Sequence, residues 1–392
     1  MNKKHGKNGR SATLCAVDVS WARMAVISDS GREKRMLDID GIKDGNRIAG
    51  RRGAEAGGGS SKNFMRIFNA HSSPSTRYCA IISPMETAKD TPPDALTEEI
   101  RTLKARHNAV ILAHNYERAE VQDIADFTGD SLELARKATQ VDADVIVFCG
   151  VYFMAETAAI LNPEKTVLIP DETAGCPMAD MITGEQLRAL KEKHPGALAV
   201  CYVNSTAEVK AECDICVTSG NAEKIMASLP KGREVIFVPD QHLGGYIADK
   251  RGEKYILWPG YCPTHARLTA ARIAAARAAH PDAPVLVHPE CAKDVRDAAD
   301  ECLSTGGMCA YARNSDAKEI IAGTEIGILH RLRTENPDKA FYPVDTATIC
   351  PNMKKITLDK VRDCLRDMSP RVTVADDMAK RAKRAIDAML AV

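Results

Sequence analysis

From Leu96 onward the chain alternates between two periods of apolar and polar residues. LTEEIRTLKARHN (96–108) has the spacing of an amphipathic helix with charge pairs along one face. NAVILAHNY (108–116) follows, a short buried strand that ends in polar residues. EVQDIADFTGDSLELARKATQ (120–140) reads as helix with a break at Thr128-Gly129-Asp130. DADVIVFCG (142–150) is a second apolar strand, FMAETAAIL (153–161) a helix, and TVLIPD (166–171) a third strand. Strand and helix in strict alternation predict a parallel sheet covered by helices.

The same order then recurs twice. GALAVCYVN (196–204), EVIFVPD (234–240) and KYILWPG (254–260) are the expected strands of a second unit. APVLVHPE (283–290), GTEIGILHR (323–331) and KAFYPVD (339–345) are those of a third. The predicted fold class is α/β: three homologous three-layer units with parallel sheets around a pseudo-threefold axis. The units are placed at 96–180, 181–266 and 267–352, with C-terminal helices over 353–392 packing back on the body.

The repeat extends to single positions. Each first strand ends in a polar pair at i and i+2: His114/Tyr116, Tyr202/Asn204 and His288/Glu290. Alternate strand residues share a face, so each pair can enter one site. Seventeen residues after the first member of each pair stands a hydroxyl, Ser131, Ser219 or Thr305, beside a glycine or aspartate where a helix can begin. A hydroxyl at a helix N-terminus suits an anion. Each unit closes on Cys-Pro, at Cys176, Cys262 and Cys350, lying 62, 60 and 62 residues after the first strand's polar residue. In parallel α/β sheets ligands bind beyond the carboxyl ends of the strands. Three units can therefore bring three thiolates to one centre. A Cys₃ zinc site and a [4Fe-4S] cluster with one open iron both fit three thiolates. The wide spacing lacks the close cysteine pairing of zinc ribbons and favours the larger cluster.

Composition narrows the classes. Hydrophobic residues at 45% and charged residues at 27% are ordinary for a soluble globular chain. Lys+Arg and Asp+Glu tie at 53, so no general affinity for nucleic acid follows. No apolar run reaches the roughly 18 residues of a membrane span. The start MNKKHGKNGR is basic with no apolar stretch after it, so a cytoplasmic protein is expected. Residues 1–84 carry 15 Lys and Arg against 7 Asp and Glu. With the linker-like GRRGAEAGGGSSKN and HSSPST, they read as a disordered basic extension, or as sequence upstream of a start at Met85. ATLCAVDV and MAVISD could be stray strands within it. The 13 cysteines matter most, because a chain of this size without a secretory leader needs no disulfide framework. Cys213-x₂-Cys216 has no partner pair and reads as buried cysteines. Cys149, matched to Pro239 and His330 in the other units, lacks the threefold pattern of a ligand.

HNY and GDS, FCGVYFMAETA, DETAGCPMAD, YVNSTAEVKA, CVTSGNA, PDQHLG, GYCPTH, HPEC and ATICPNM together resemble the quinolinate synthase family, the A protein of bacterial NAD biosynthesis. The resemblance covers about residues 96–390 and leaves the N-terminal tail without a counterpart. It implies a [4Fe-4S] cluster on Cys176, Cys262 and Cys350. It also implies condensation of iminoaspartate with dihydroxyacetone phosphate to quinolinate, with loss of phosphate and water. L-aspartate oxidase, which makes iminoaspartate, is the implied functional partner; neither nucleic acid nor membrane is. His114, Ser131, Tyr202, Asn204, Ser219, His288, Ser304 and Thr305 match positions that bind carboxylates and phosphate. Glu290 beside His288 is the first choice for general acid/base, with Tyr116 near the substrate and His265 as a supporting group behind Cys262. Two other readings share parts of this pattern: a cluster-dependent hydro-lyase of the aconitase kind, and a metal-binding sensor whose basic tail touches nucleic acid.

Overall fold

The computed structural model describes residues 23–27, 34–38 and 95–392. Strands β1 (Arg23–Ile27) and β2 (Lys34–Asp38) pair antiparallel, and β1 coincides with part of the MAVISD stretch. The remainder of the 1–84 reading lies outside the described residues. Thr91–Val392 is a separate compact unit.

That unit holds three four-stranded parallel sheets. The first consists of β3 (Ala109–His114), β4 (Phe127–Gly129), β5 (Val145–Cys149) and β6 (Thr166–Leu168). The second consists of β7 (Leu198–Tyr202), β8 (Ile215–Val217), β9 (Val235–Val238) and β10 (Ile256–Leu257). The third consists of β11 (Val285–Val287), β12 (Glu301–Cys302), β13 (Glu319–Gly323) and β14 (Ala340–Pro343). In every sheet the second strand lies at the edge, then the first, third and fourth. The inner strands VIVFC, LAVCY, VIFV and VLV are buried along their whole length, as expected where helices cover both faces of a parallel sheet.

Two local devices recur in all three copies, and neither was read from the sequence. An aspartate before each edge strand accepts a backbone N–H from the first strand, always fifteen residues back. These bonds are Asp126 from Ile111 (2.8 Å), Asp214 from Ala199 (2.8 Å) and Asp300 from Val285 (2.7 Å). Each cysteine is followed by a single 3₁₀ turn and then, at the seventh residue, by a threonine whose hydroxyl caps a ten-residue helix. The caps are Thr183, Thr269 and Thr357.

The structure corrects three readings. GTEIGILHR is not a strand: the third strand of its sheet is β13, and Ile328–Glu335 is helical. Ile328, Leu329 and Leu332 are all buried at helical spacing, whereas EIIAG is a short apolar run whose period alone does not tell strand from helix. Strand register therefore matches Cys149 with Val238 and Gly323, not with Pro239 and His330. The break inside 120–140 contains the edge strand β4.

The C-terminal helices close two faces. Val361 and Leu365 of Leu358–Asp367 share a core with Ile100, Leu103 and Val147 of the first unit. Ile386 and Met389 of Asp376–Leu390 join the core that holds Val209 and Cys216. Replacing Asp214 by Ala orphans the buried Ala199 amide. It should lower the urea-unfolding free energy by about 1–2 kcal/mol, with Asp214→Asn, which keeps the acceptor, costing less.

Candidate functional site

The central strands β3, β7 and β11 deliver their polar pairs to the same place. β3 ends at His114, β7 at Tyr202, and His288 follows β11 directly. All six paired residues line one cavity of about 140 Å³, which also contains Ser131, Ser219, Thr305, Cys176, Cys262 and Cys350. Ser304 is the exception. It is the N-cap of Thr305–Asn314, accepting from Gly307 N at 3.1 Å, and it does not line the cavity.

The three hydroxyl turns touch one another. Asp130 caps Ser131–Gln140 through the amides of Leu132 and Glu133. A Cβ on Gly306, in the third unit, would stand 2.7 Å from Asp130 Oδ2 in the first. A Cβ on Gly220, in the second, would stand 3.3 Å from Ser304 Oγ in the third. Side chains pin the hydroxyls: Asn115 Nδ2 donates to Thr305 Oγ1 at 2.9 Å, and Ser219 Oγ lies 3.2 Å from His288 Nε2. Arg331 in turn holds Asn115 at 2.8 Å.

Glu290 is the hub of the cavity's polar side chains. Its Oε1 accepts from Tyr202 OH at 2.6 Å and from Asn204 Nδ2 at 3.3 Å, and its Oε2 lies 2.8 Å from His265 Nδ1. Burial raises its carboxyl, but His265, His288 and the Tyr202 phenol outweigh burial and hold it below the ordinary carboxylate range. Glu290 is thus an ionised, buried acceptor. Burial pushes His114 and His288 down to about 3, so both rings are neutral at neutral pH. Burial and Glu290 push both phenols, Tyr116 and Tyr202, well above their usual range, which keeps them protonated donors.

Cys176, Cys262 and Cys350 are partly buried at the cavity wall. Burial of the sulfurs raises all three thiols, Cys176 to about 12. Cys262 also belongs, with His265 and Glu290, to a group whose ligand atoms all lie within 4.8 Å of one another, so donors able to hold a metal gather at this wall.

The chain around the cysteines is tightly set. Gly260, two residues before Cys262, sits where a Cβ would meet Pro239 O at 2.4 Å, so this approach needs glycine. Cys350 N donates to Glu325 Oε1 at 3.1 Å, and Gly327 N to Glu325 Oε2 at 2.6 Å. Lys354 Nζ bonds Glu325 Oε1 at 3.0 Å and also donates to the carbonyl of Tyr116. This buried pair ties the third cysteine to the tyrosine of the first unit.

Asn115, Glu325, Lys354 and Thr324 escaped the sequence reading. Thr324 and Glu325 fell inside the stretch read as a strand. Lys354, four residues after Cys350, has no counterpart spacing in the other two units that would single it out. Cys149 is fully buried and does not line the cavity. Cys216 lies on β8 opposite Cys201 on β7, both fully buried, in keeping with the buried-cysteine reading.

Parallel α/β sheets whose strand ends gather three cysteines, histidines, phenols and a carboxylate around one cavity define an enzyme-type, metal-competent site. The family model described as NadA, quinolinate synthetase A protein, matches residues 98–391, and the chain belongs to that family. Relatives named quinolinate synthase include one from Dehalococcoides mccartyi (strain CBDB1), 55% identical over 299 residues, covering 76% of this chain and 99% of its own. Another from Methanoregula boonei is 56% identical over 296 residues, covering 76% and 98%. One from Geobacter metallireducens is 54% identical over 299 residues, again covering 76% and 98%.

Removing the Lys354 charge leaves Glu325, whose side chain is fully buried, without its partner. Lys354→Met should destabilise by about 3 kcal/mol in chemical denaturation, and the Lys354→Met/Glu325→Gln double variant should recover part of that loss. For His288, the folded ring titrates near 3 and the unfolded one near 6.5. Below pH 6.5 only the unfolded chain takes up this proton, so stability falls as pH drops from 6.5 toward 3 and is unaffected above. Each such histidine contributes roughly 1.4 kcal/mol per pH unit inside that window. Thermal melts from pH 7.5 to 5 should therefore show a shallower decline for His288→Asn than for wild type.

Proposed function

We propose that this chain is a quinolinate synthase. In this reading it condenses iminoaspartate with dihydroxyacetone phosphate to quinolinate, releasing phosphate and water, with a [4Fe-4S] cluster on Cys176, Cys262 and Cys350. The observation that carries the reading is one cavity lined by three cysteines from three sheets, three hydroxyl turns and a buried ionised carboxylate. Three thiols from three sheets at one cavity wall, with no close-spaced cysteine pair among them, support the cluster over zinc. When bound, the cluster supplies an open iron as Lewis acid for the departing hydroxyl.

The chain's own residues have separable tasks. Both substrates are anions, and Ser131, Ser219 and Thr305 offer neutral donors, two of them in the first turn of ten-residue helices. His114 and His288, held neutral, orient carboxylate or phosphate oxygens by hydrogen bonds without adding charge. Glu290 is the proton acceptor; Tyr202 and Asn204 hold its Oε1 in place while Tyr116 faces the substrate. Ser304 serves the Thr305 turn as its cap. The proposal takes 96–180, 181–266 and 267–352 as three homologous units, supported by the aspartate bonds and threonine caps that repeat in each. Among the described residues no helix is long and apolar enough to cross a membrane, and a cytoplasmic enzyme supplied by L-aspartate oxidase fits the reading.

Anaerobic reconstitution with iron and sulfide tests this. Wild type should gain about four irons and a visible cluster band and should form quinolinate from the two substrates. Cys176→Ala, Cys262→Ala and Cys350→Ala should each lose both the band and the activity. A cluster retained by Cys176→Ala, or a wild type that takes up only zinc, contradicts the proposal.

A further inference from the structure

We propose that Asn115 is a positioning residue that turns the hydroxyl hydrogen of Thr305 into the cavity, toward an anionic oxygen of the substrate. Asn115 stands between His114 and Tyr116, is fully buried, and does not line the cavity. The matching positions of the other two units hold Val203 and Pro289, so the first unit alone carries an amide there. An amide taken out of water costs free energy unless it is hydrogen-bonded, and two partners meet this one. Arg331 Nη1 donates to Asn115 Oδ1 at 2.8 Å, and Asn115 Nδ2 lies 2.9 Å from Thr305 Oγ1.

The direction follows from what each group can do. A guanidinium only donates, so the Asn115 atom that faces Arg331 is the carbonyl oxygen. That fixes the amide, whose nitrogen then faces Thr305 and donates to it. Thr305 Oγ1 therefore accepts, and its own hydrogen must go elsewhere. Among the described residues Thr305 Oγ1 has no other hydrogen-bond partner, and Thr305 lines the cavity at the start of Thr305–Asn314. The hydrogen is left for an acceptor bound at this turn, a phosphate or a carboxylate oxygen. Arg331 is held in turn: its Nε donates to Glu335 Oε1 at 2.7 Å, and its Nη1 lies 3.3 Å from Glu133 Oε2, the carboxylate of the capping box at Ser131–Gln140. A cation of the third unit thus sets an amide of the first, which sets a hydroxyl of the third. Aspartate has the shape of asparagine but, ionised, only accepts. In Asn115→Asp the side chain keeps Arg331 and takes the Thr305 hydrogen, so the hydroxyl turns away from the cavity.

The kinetic readout rests on the quinolinate synthase reading; a second readout does not. In the reconstituted full chain, Asn115→Asp should keep its cluster band and circular dichroism. KM for one of the two anionic substrates should rise about 10- to 100-fold, the loss expected for a hydrogen bond to a charged group, while kcat stays within about threefold. The substrate affected tells phosphate from carboxylate. Thr305→Ala should show the same rise, and Asn115→Asp/Thr305→Ala should exceed it by no more than about threefold, because the aspartate acts through the hydroxyl. An Asn115→Asp enzyme with wild-type KM, or a double variant whose loss is the product of the single losses, overturns the inference. Independently, neutron diffraction from deuterium-exchanged crystals of the full chain without cluster should place the two amide deuterons of Asn115 on the atom facing Thr305, and the Thr305 deuteron on the cavity side. A reversed amide, or a Thr305 deuteron pointing at Asn115, overturns it as well. If Asn115→Asp does not fold, the wild-type neutron map still decides it. If wild type makes no quinolinate, the functional reading falls and the neutron map alone judges Asn115.

Discussion

An ionised carboxylate taken out of water must be satisfied completely, and the centre of this molecule is organised around that demand. Glu290 is 4% exposed and carries its charge at neutral pH. Isolated, it would be strongly destabilising or would take up a proton. It is kept ionised by Tyr202 and Asn204 at the end of β7 and by His265 in the turn after Cys262. The second unit thus supplies the donors for a charge that belongs to the third. Through His265 and Thr324 the same network reaches Tyr116 in the first. The placement of the cysteine turn at 262 is tied to the position of this charge.

The sheets make that arrangement possible. A parallel sheet buried on both faces ends abruptly, and its inner strands point their last side chains into whatever space lies beyond. With the same strand order in all three sheets, the equivalent ends carry His114, Tyr202 and His288. The close packing of Gly306 and Gly220 against Asp130 and Ser304 sets the hydroxyl turns side by side. Small residues here let three helix starts approach more closely than side chains would permit.

The sequence made the repeat legible because register survives in spacing. Positions two, seventeen and about sixty residues apart could be counted, and they led to the cavity residues and the three cysteines. What stayed hidden has two physical causes. Short apolar runs carry no period, so EIIAG was passed over and the helix at 328–335 took its place, which concealed Thr324 and Glu325. Residues whose work is to bind the backbone, such as Lys354 on the Tyr116 carbonyl or Asp214 on Ala199, look like ordinary surface charges until the fold brings their partners near. Ser304 adds a further case: the family resemblance pointed to its hydroxyl, but that its oxygen also accepts the cap bond from Gly307 shows only in the fold.

The threonine cap seven residues after each cysteine has a consequence for when the site exists. It anchors each cysteine turn to the helix that opens the next segment of chain, so no thiol is in position until its own neighbourhood has folded. The cavity behaves as a three-input logical AND: local unraveling at any one of three distant stretches of sequence erases the whole site. A cofactor seated there would couple the three segments mechanically, and its loss would be an early sign that one of them had opened.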